Sequence, residues 1–267
     1  KVRRKRQIGS LEQGNLIHQC LECVLSSCKN KEEFDKLSRN QISKIIEKCA
    51  DDYFESNMGG VIKRNARLES NLKRIKENIF KITRQLKYSD KHNNTLDMVL
   101  SLNGFPVIVM ELKNQFTGQN VYNAIKQYKE DRNPKEKLFG FNERVLVYFA
   151  VDTDEVYMTT ELKGAKTYFL PFNKGNNRGK GNPQVEGKER TYYLWEEILK
   201  QDSLLDIIKR FYFIDKENNR AIFPRYHQLD AVRKIVADLE VNKAGLNYLI
   251  QHSAGSGKTN TIAWTSH

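Results

Sequence analysis

The chain has 267 residues, 39% of them hydrophobic, and a formal net charge of +12. That length allows one large or two modest domains with real cores, and no apolar run approaches the roughly 20 residues of a membrane span. The basic start KVRRKRQ has no apolar stretch behind it, which argues against a secretory signal and for a cytoplasmic protein. The positive surplus favours polyanions, of which nucleic acid is the common one.

Residues 1–80 form the first segment. Apolar positions recur every three to four residues in LEQGNLIHQCLECVL, EEFDKLSRNQISKIIEKCADDYF and LESNLKRIKENIF, which predicts helices over 11–80 broken at MGG, 58–60. Cys20-Leu-Glu-Cys23 has the spacing of a metal ligand pair, but a zinc site needs a second close pair, and Cys49 lies far along the chain. Cys20 and Cys28 fall with Ile17, Leu21 and Val24 on a helical period, so they read as small core residues.

Strands dominate from residue 81. KITRQLKY alternates polar and apolar residues, and SDKHNNT, 89–95, is a turn cluster. The apolar runs LDMVL, 96–100, and VIVMELKN, 107–114, then flank Asn103-Gly104, a hairpin signal. NVYNAIKQYKED, 120–131, reads as a helix and RVLVYFAV, 144–151, as a buried strand. DEVYMTT and KTYFLPF make two more strands around a turn at Lys163-Gly164. This order predicts a mixed α/β domain over 81–191. Within it, the Gly-, Asn-, Lys- and Arg-rich segment 173–190 reads as a mobile loop, either a solvated insertion or a basic flap that touches DNA or a neighbouring domain.

Two carboxylates and a lysine stand out on the hairpin: Asp97, then Glu111 and Lys113 as Glu-x-Lys. Phosphodiester hydrolysis needs an activated water and a stabilised leaving oxygen. Mg²⁺ supplies both when held by one or two carboxylates and the substrate phosphate. Asp97 and Glu111 are the candidate ligands, and Lys113 would orient the water or stabilise charge developing on the phosphate. Strand alternation puts Glu111 and Lys113 on one face and turns Leu112 the other way, into the core. A two-residue turn at 103–104 pairs Asp97 with Met110 and separates the carboxylates; a three-residue loop, 103–105, pairs Asp97 with Glu111. The chemistry therefore requires the odd loop or a bulge that shifts the register by one.

The segments TRQLKYS, LDMVLSLNGFPVIVMELKN, TGQNVYNAIKQYKEDR, VYMTTELKGAKTYFLPFNKG and YLWEEILKQDSLLDIIKRF cover most of residues 81–211. In order and content they resemble the N-terminal nuclease domain of type I restriction enzyme R subunits (HsdR). That resemblance implies a PD-(D/E)xK endonuclease core with Asp97, Glu111 and Lys113 as its motif. It also implies Gln-x-x-x-Tyr support from the following helix. Here Ala124 stands four residues before Tyr128, and Gln127 is adjacent to Tyr128 instead, so Gln127 and Tyr128 are candidate supporting residues or an ordinary surface and core pair.

Residues 192–222 read as an amphipathic helical linker, carried by YYLWEEILKQDSLLDIIKRFYFID, 192–215. FPRYHQLDAV, 223–232, resembles the adenine-reading motif of superfamily 2 helicases, with Gln228 as the base contact. AGLNYLIQHSAGSGKTNTIAW, 244–264, reads as a strand, a Gly-rich turn and a helix start. In a phosphate-binding loop, backbone N–H groups face the anion. Gly255 and Gly257 would permit that turn, Lys258 would reach the β- and γ-phosphates of ATP, and Thr259 would hold Mg²⁺; His252 stands where the usual pattern has Gly. Segment 223–267 is thus expected to be the truncated beginning of a RecA-like motor lobe, unable to hydrolyse ATP alone.

The resulting expectation is a Mg²⁺-dependent endonuclease domain of an ATP-driven subunit. Its partners would be double-stranded DNA and, by the resemblance, methyltransferase (M) and specificity (S) subunits, with no membrane. The alternatives are a DNA-dependent ATPase or helicase fragment with a non-cleaving DNA clamp, and an adaptor that docks the motor to its partners through 173–190 and 192–215.

Overall fold

The computed structural model describes Cys23 and residues 39–58, 80–177, 179–243, 247–253 and 255–266. The chain divides into two compact units, residues 1–80 with 102–104, and residues 81–101 with 105–267. In the first, helix α1 is Arg39–Met58 and buries Ile46, Cys49 and Ala50, one face at helical spacing. Cys49 is joined to Cys23 as a disulfide with Cα atoms 6.5 Å apart, so it is not remote from Cys23 in space. The remaining helices expected before residue 80 lie outside the described residues, as do Cys20 and Cys28.

The second unit is built on a six-stranded sheet of sequential order: β1 Phe80–Lys87, β2 Thr95–Leu102, β3 Phe105–Leu112, β4 Val147–Val151, β5 Val156–Thr159 and β6 Leu170–Pro171. A two-residue turn reverses the chain between β2 and β3. Asn103 and Gly104 both adopt positive φ there, +53° and +90°, as a tight hairpin turn requires. β3 and β4 are parallel, with Glu111 opposite Ala150, while β4–β5 and β5–β6 are antiparallel, so the sheet is mixed. Helix α2, Val121–Glu130, makes the crossover that a parallel pair needs. Asn120 caps its start and Asp152, just past β4, accepts the Val121 N–H at 2.8 Å.

All five residues of β4 are buried, because the sheet is covered on both faces. On one face Val109, Tyr148 and Ala150 pack with Val121, Ala124 and Tyr128 of α2. On the other, Phe149 meets Phe172 and Phe223, with ring centroids 5.3 and 6.0 Å apart, and Phe172 meets Tyr226 at 6.0 Å. β6 is shorter than KTYFLPF suggested, since Pro171 has no N–H to extend the ladder.

The segment 192–215 is not one helix. It forms a π-helical turn Leu194–Ile198, helix α3 Gln201–Asp206, a second π-helical turn Ile207–Phe211, and then strand β7, Phe213–Asp215, paired with β8, Arg220–Ile222. The alternation of FYFID and the turn around Asn219 at φ +49° override the helical period there. Two further helices follow, α4 Tyr226–Asn242 and α5 Lys258–Ser266. Of the strand expected around LNYLIQ, the described residues 247–251 form none. Residues 247–250 have no regular structure and Leu249 is 93% exposed, because no described strand lies alongside to take their backbone hydrogen bonds. Among the described residues no helix is long and apolar enough to cross a membrane.

Segment 173–190 is anchored rather than loose. Asn182, 1% exposed, accepts the Lys174 N–H at 2.8 Å and donates to the Asp154 carbonyl and to Asn173 Oδ1 at 2.8 and 2.9 Å. The Lys174 ammonium bonds Glu197 at 2.7 Å and lies 5.2, 5.3 and 5.6 Å from the ring centres of Tyr192, Tyr193 and Tyr226. Removing Asn182 strands the Lys174 N–H and the Asp154 carbonyl, while Asn173 Oδ1 keeps the Val156 N–H at 2.8 Å. Asn182→Ala is expected to cost about 1–3 kcal/mol in denaturant unfolding and to make the lysines and arginines of 173–190 the first sites of tryptic cleavage.

Candidate active site

Glu111 is the next-to-last residue of β3 and is fully buried. Its alternation places it on the α2 side of the sheet, with Ala150 as its register partner. Leu112 faces the other way and is 38% exposed, which corrects the expectation that it enters the core: the α2 face is the covered one at this strand end. Lys113 is half-buried, and its N–H donates to the Val151 carbonyl at 2.8 Å, which extends the β3–β4 ladder one step past the strand.

Asp97, in β2, reaches the same place. Its Oδ2 accepts the Leu112 N–H at 2.9 Å and its Oδ1 accepts from Gln85 Nε2 at 3.2 Å. Successive N–H groups on a strand point to opposite sides, and that of Lys113 points to β4, so that of Leu112 points to β2. The Asp97 carboxylate therefore takes a hydrogen bond that the β2 backbone would otherwise accept. The hairpin turn is even, not the three-residue loop, so the shift in register lies within the strands. Two departures from alternation mark it. Leu96 and Val99, an odd interval apart, are both buried in the α2-side core, and Gln85 in β1 sits at φ +48°, a left-handed conformation unfavourable for a residue other than glycine. Gln85 also accepts from Thr95 Oγ1 at 2.6 Å, so its side chain bridges Thr95 and Asp97.

The residue that sequence reasoning missed is Arg132, two positions beyond α2 and 3% exposed. Its Nε donates to Glu111 Oε1 at 2.8 Å, and Nη2 lies 2.6 Å from the same oxygen as an ion pair. Nη2 also donates to the Thr95 carbonyl at 2.8 Å, Nη1 approaches the Tyr88 hydroxyl at 3.5 Å, and the guanidinium lies 5.5 Å from the Tyr88 ring centre. Glu111 Oε2 is buried with no hydrogen-bond partner. An arginine after a helix, followed by Asn-Pro, carries no motif, and only the tertiary contact identifies it.

Glu111 has its pKa pushed up from 4.5 to about 7. Burial is the main cause; the Arg132 charge opposes it, and the charge and hydrogen bond of Asp97 add to it. The Asp97 carboxyl is set against that of Glu111. When both are ionised, Oε2 has no donor to meet. A carboxylate pair of which only Glu111 meets an arginine, and of which one buried oxygen has no donor, fits a divalent ion. Among the described residues no group of three or more His, Cys, Asp or Glu could hold one, so the remaining ligands would be water, a carbonyl or a substrate phosphate.

The supporting candidates separate. The Tyr128 hydroxyl, fully buried, sits between the carbonyls of Val109 and Phe149 at 3.2 and 3.1 Å and shares its proton with them. It ties α2 to β3 and β4 and is part of the core. Gln127 is half-buried, and its carbonyl accepts the Asp131 N–H at the helix end.

The phosphate-loop candidates lie together elsewhere in this unit. Gly255 and Gly257 have φ +71° and +82°, and Lys258 and Thr259 begin α5, both exposed. Lys258 Nζ donates to the carbonyls of His252 and Ser253 at 3.0 and 3.3 Å. Gln228 is 3% exposed, and its amide is engaged at both ends: Oε1 accepts the Arg225 N–H and Nε2 donates to the Gly257 carbonyl, both at 2.9 Å. It faces the loop backbone.

A mixed α/β unit built on this six-stranded sheet fits a nuclease-like core. The chain belongs to the Type I restriction enzyme R protein N terminus family, whose match covers residues 3–167. It is 30% identical over 200 residues, 72% of this chain, to a Methanocaldococcus jannaschii protein that bears the name of the type I restriction enzyme MjaVIIIP endonuclease subunit. It is 24% identical over 187 residues, 69% of this chain, to the type I restriction enzyme SauCOLORF180P endonuclease subunit of Staphylococcus aureus. The chain spans only 18% and 19% of the length of these two relatives.

The raised pKa of Glu111 gives a stability signature. In the fold Glu111 keeps its proton up to about pH 7, whereas in the unfolded chain it loses it near 4.5. Its contribution is therefore fully present below pH 4.5 and is lost as pH rises toward 7. In metal-free buffer, Glu111→Gln is expected to flatten the pH dependence of unfolding across that window; identical slopes in wild type and variant would contradict the assignment.

Proposed function

We propose that this chain is the endonuclease domain of the DNA-cleaving, ATP-driven subunit of a type I restriction–modification system, and that it hydrolyses the phosphodiesters of double-stranded DNA at Asp97, Glu111 and Lys113. The observation that carries the reading is the buried Glu111 whose Oε2 has no partner, faced by Asp97 at the end of the strand that continues into Lys113. The names of the relatives support a restriction endonuclease role, and the surplus of positive charge suits DNA.

In this reading Asp97 and Glu111 hold Mg²⁺, which when bound lowers the pKa of water and stabilises the leaving oxygen. Glu111 arrives oriented, because Arg132 fixes Oε1 and the strand fixes its backbone. Asp97 is oriented by the Leu112 N–H and by Gln85. Lys113, carried past the strand end on the β4 ladder, supplies a positive charge for the phosphate oxygen or a hydrogen bond to the incoming water. Tyr128 and Gln127 support the helix behind the site. ATP would bind at Gly255, Gly257, Lys258 and Thr259, with the Lys258 ammonium released from the His252 and Ser253 carbonyls to meet phosphate. Gln228 would act there by holding the loop backbone. Methyltransferase and specificity subunits would choose the DNA target, and the protein would work in the cytoplasm.

A second reading, a DNA clamp that does not cut, draws on the internal commitments of the acidic pair: both Asp97 oxygens and Glu111 Oε1 already accept hydrogen bonds. Cleavage by the assembled enzyme on cognate-site DNA with ATP and Mg²⁺ separates the two. Glu111→Ala and Lys113→Ala are expected to lower cutting by about 10²-fold or more with ATPase intact. Undiminished cutting would leave the clamp.

A further inference from the structure

Arginine and carboxylate normally meet fork to fork, with each carboxylate oxygen taking one N–H. Arg132 does otherwise. Its Nε and Nη2 converge on Oε1 of Glu111, and Oε2 is left buried with nothing to accept. The guanidinium is held in this pose from its other side: Nη2 donates to the Thr95 carbonyl, and Nη1 faces the Tyr88 hydroxyl beside the Tyr88 ring. An ion pair kept only for stability gains nothing from this arrangement, since a stranded buried acceptor costs about 1–3 kcal/mol. Once Glu111 is ionised, the neighbouring Asp97 carboxylate offers that buried oxygen no donor, so it calls for a positive ligand.

We infer that Arg132 is a positioning residue that makes Glu111 a one-oxygen ligand, presenting Oε2 to the divalent cation while Oε1 is withheld. The inference rests on the reading of Asp97 and Glu111 as the metal pair. A second consequence follows from charge. Arg132 is permanently protonated, so it offsets one of the two carboxylate charges. The protein alone then attracts the cation weakly, and the DNA phosphate supplies the missing negative charge, which ties cation binding to the presence of substrate.

The test is Mn²⁺ binding by the assembled full-length enzyme, followed by electron paramagnetic resonance with and without cognate DNA, alongside cleavage kinetics. Arg132→Gln removes the charge and the double contact. At a pH well above 7, where Glu111 is ionised, it is expected to bind Mn²⁺ about tenfold more tightly without DNA while cutting about 10–100-fold more slowly. Arg132→Lys keeps the charge but offers a point donor in place of the planar pair. It is expected to fold, to keep the wild-type KM for DNA, and to lose about tenfold in kcat. Wild-type Mn²⁺ affinity in folded Arg132→Gln, or wild-type kcat in Arg132→Lys, would overturn the proposal; if Arg132→Gln does not fold, the lysine variant decides. Glu111→Ala is the control for the underlying reading. If it retains wild-type Mn²⁺ binding, the metal pair itself is wrong, whatever Arg132 does.

Discussion

One guanidinium, that of Arg132, joins four separate stretches of chain: Tyr88 just past β1, the start of β2 at Thr95, the end of β3 at Glu111, and its own segment after α2. Burying such a charge pair gives little net stability, because desolvation of both ions offsets most of their attraction. What the pair gives instead is a fixed geometry. Glu111 has no freedom to rotate, and the strand ends that carry Asp97 and Lys113 are held against it. The raised pKa of Glu111 shows that burial outweighs the arginine here, and that the second carboxylate adds to the imbalance. The site is thus assembled at an energetic cost that hydrophobic packing of α2 against β3 and β4 must cover.

That packing explains why the acidic pair can meet at all. A sheet covered on both faces fixes which residues of each strand point to α2. With an even hairpin turn, regular alternation would have sent Asp97 and Glu111 to opposite faces. The strand irregularities at Gln85 and between Leu96 and Val99 break that rule locally, and the Asp97 side chain replaces a backbone acceptor in the ladder. Departures from regular geometry at a chemically active strand end are where such strain is commonly found.

The phosphate-loop region follows a different physical logic. Its backbone turns through two glycines at positive φ, as the motif demands, but the lysine is bonded to carbonyls of its own loop and the glutamine to the loop backbone. Lys258 and Gln228 have internal partners, whereas the Ser256 hydroxyl and His252 Nδ1 are buried without one. The segment before it shows the converse. LNYLIQ has the composition of a buried strand, yet composition cannot supply the neighbour whose N–H and C=O groups a strand requires.

Local signals in the chain determined much of this: the hairpin at Asn103-Gly104, the helix after Asn120, the buried strand ending at Val151 and the Glu-x-Lys pair at one strand end all follow from alternation, capping and turn chemistry, which act over a few residues. The same locality misled at 192–215, where a helical period gives way to a hairpin, and at Leu112, whose exposure depends on which face α2 covers. Only the tertiary structure decided that Arg132 meets Glu111, that Tyr128 belongs to the core, and that Gln228 turns toward the phosphate loop. Those contacts join residues 21, 21 and 29 positions apart. Whether a charge is paired, a hydroxyl buried or an oxygen left without a donor depends on what packing brings alongside it, and no pattern within a single segment encodes that.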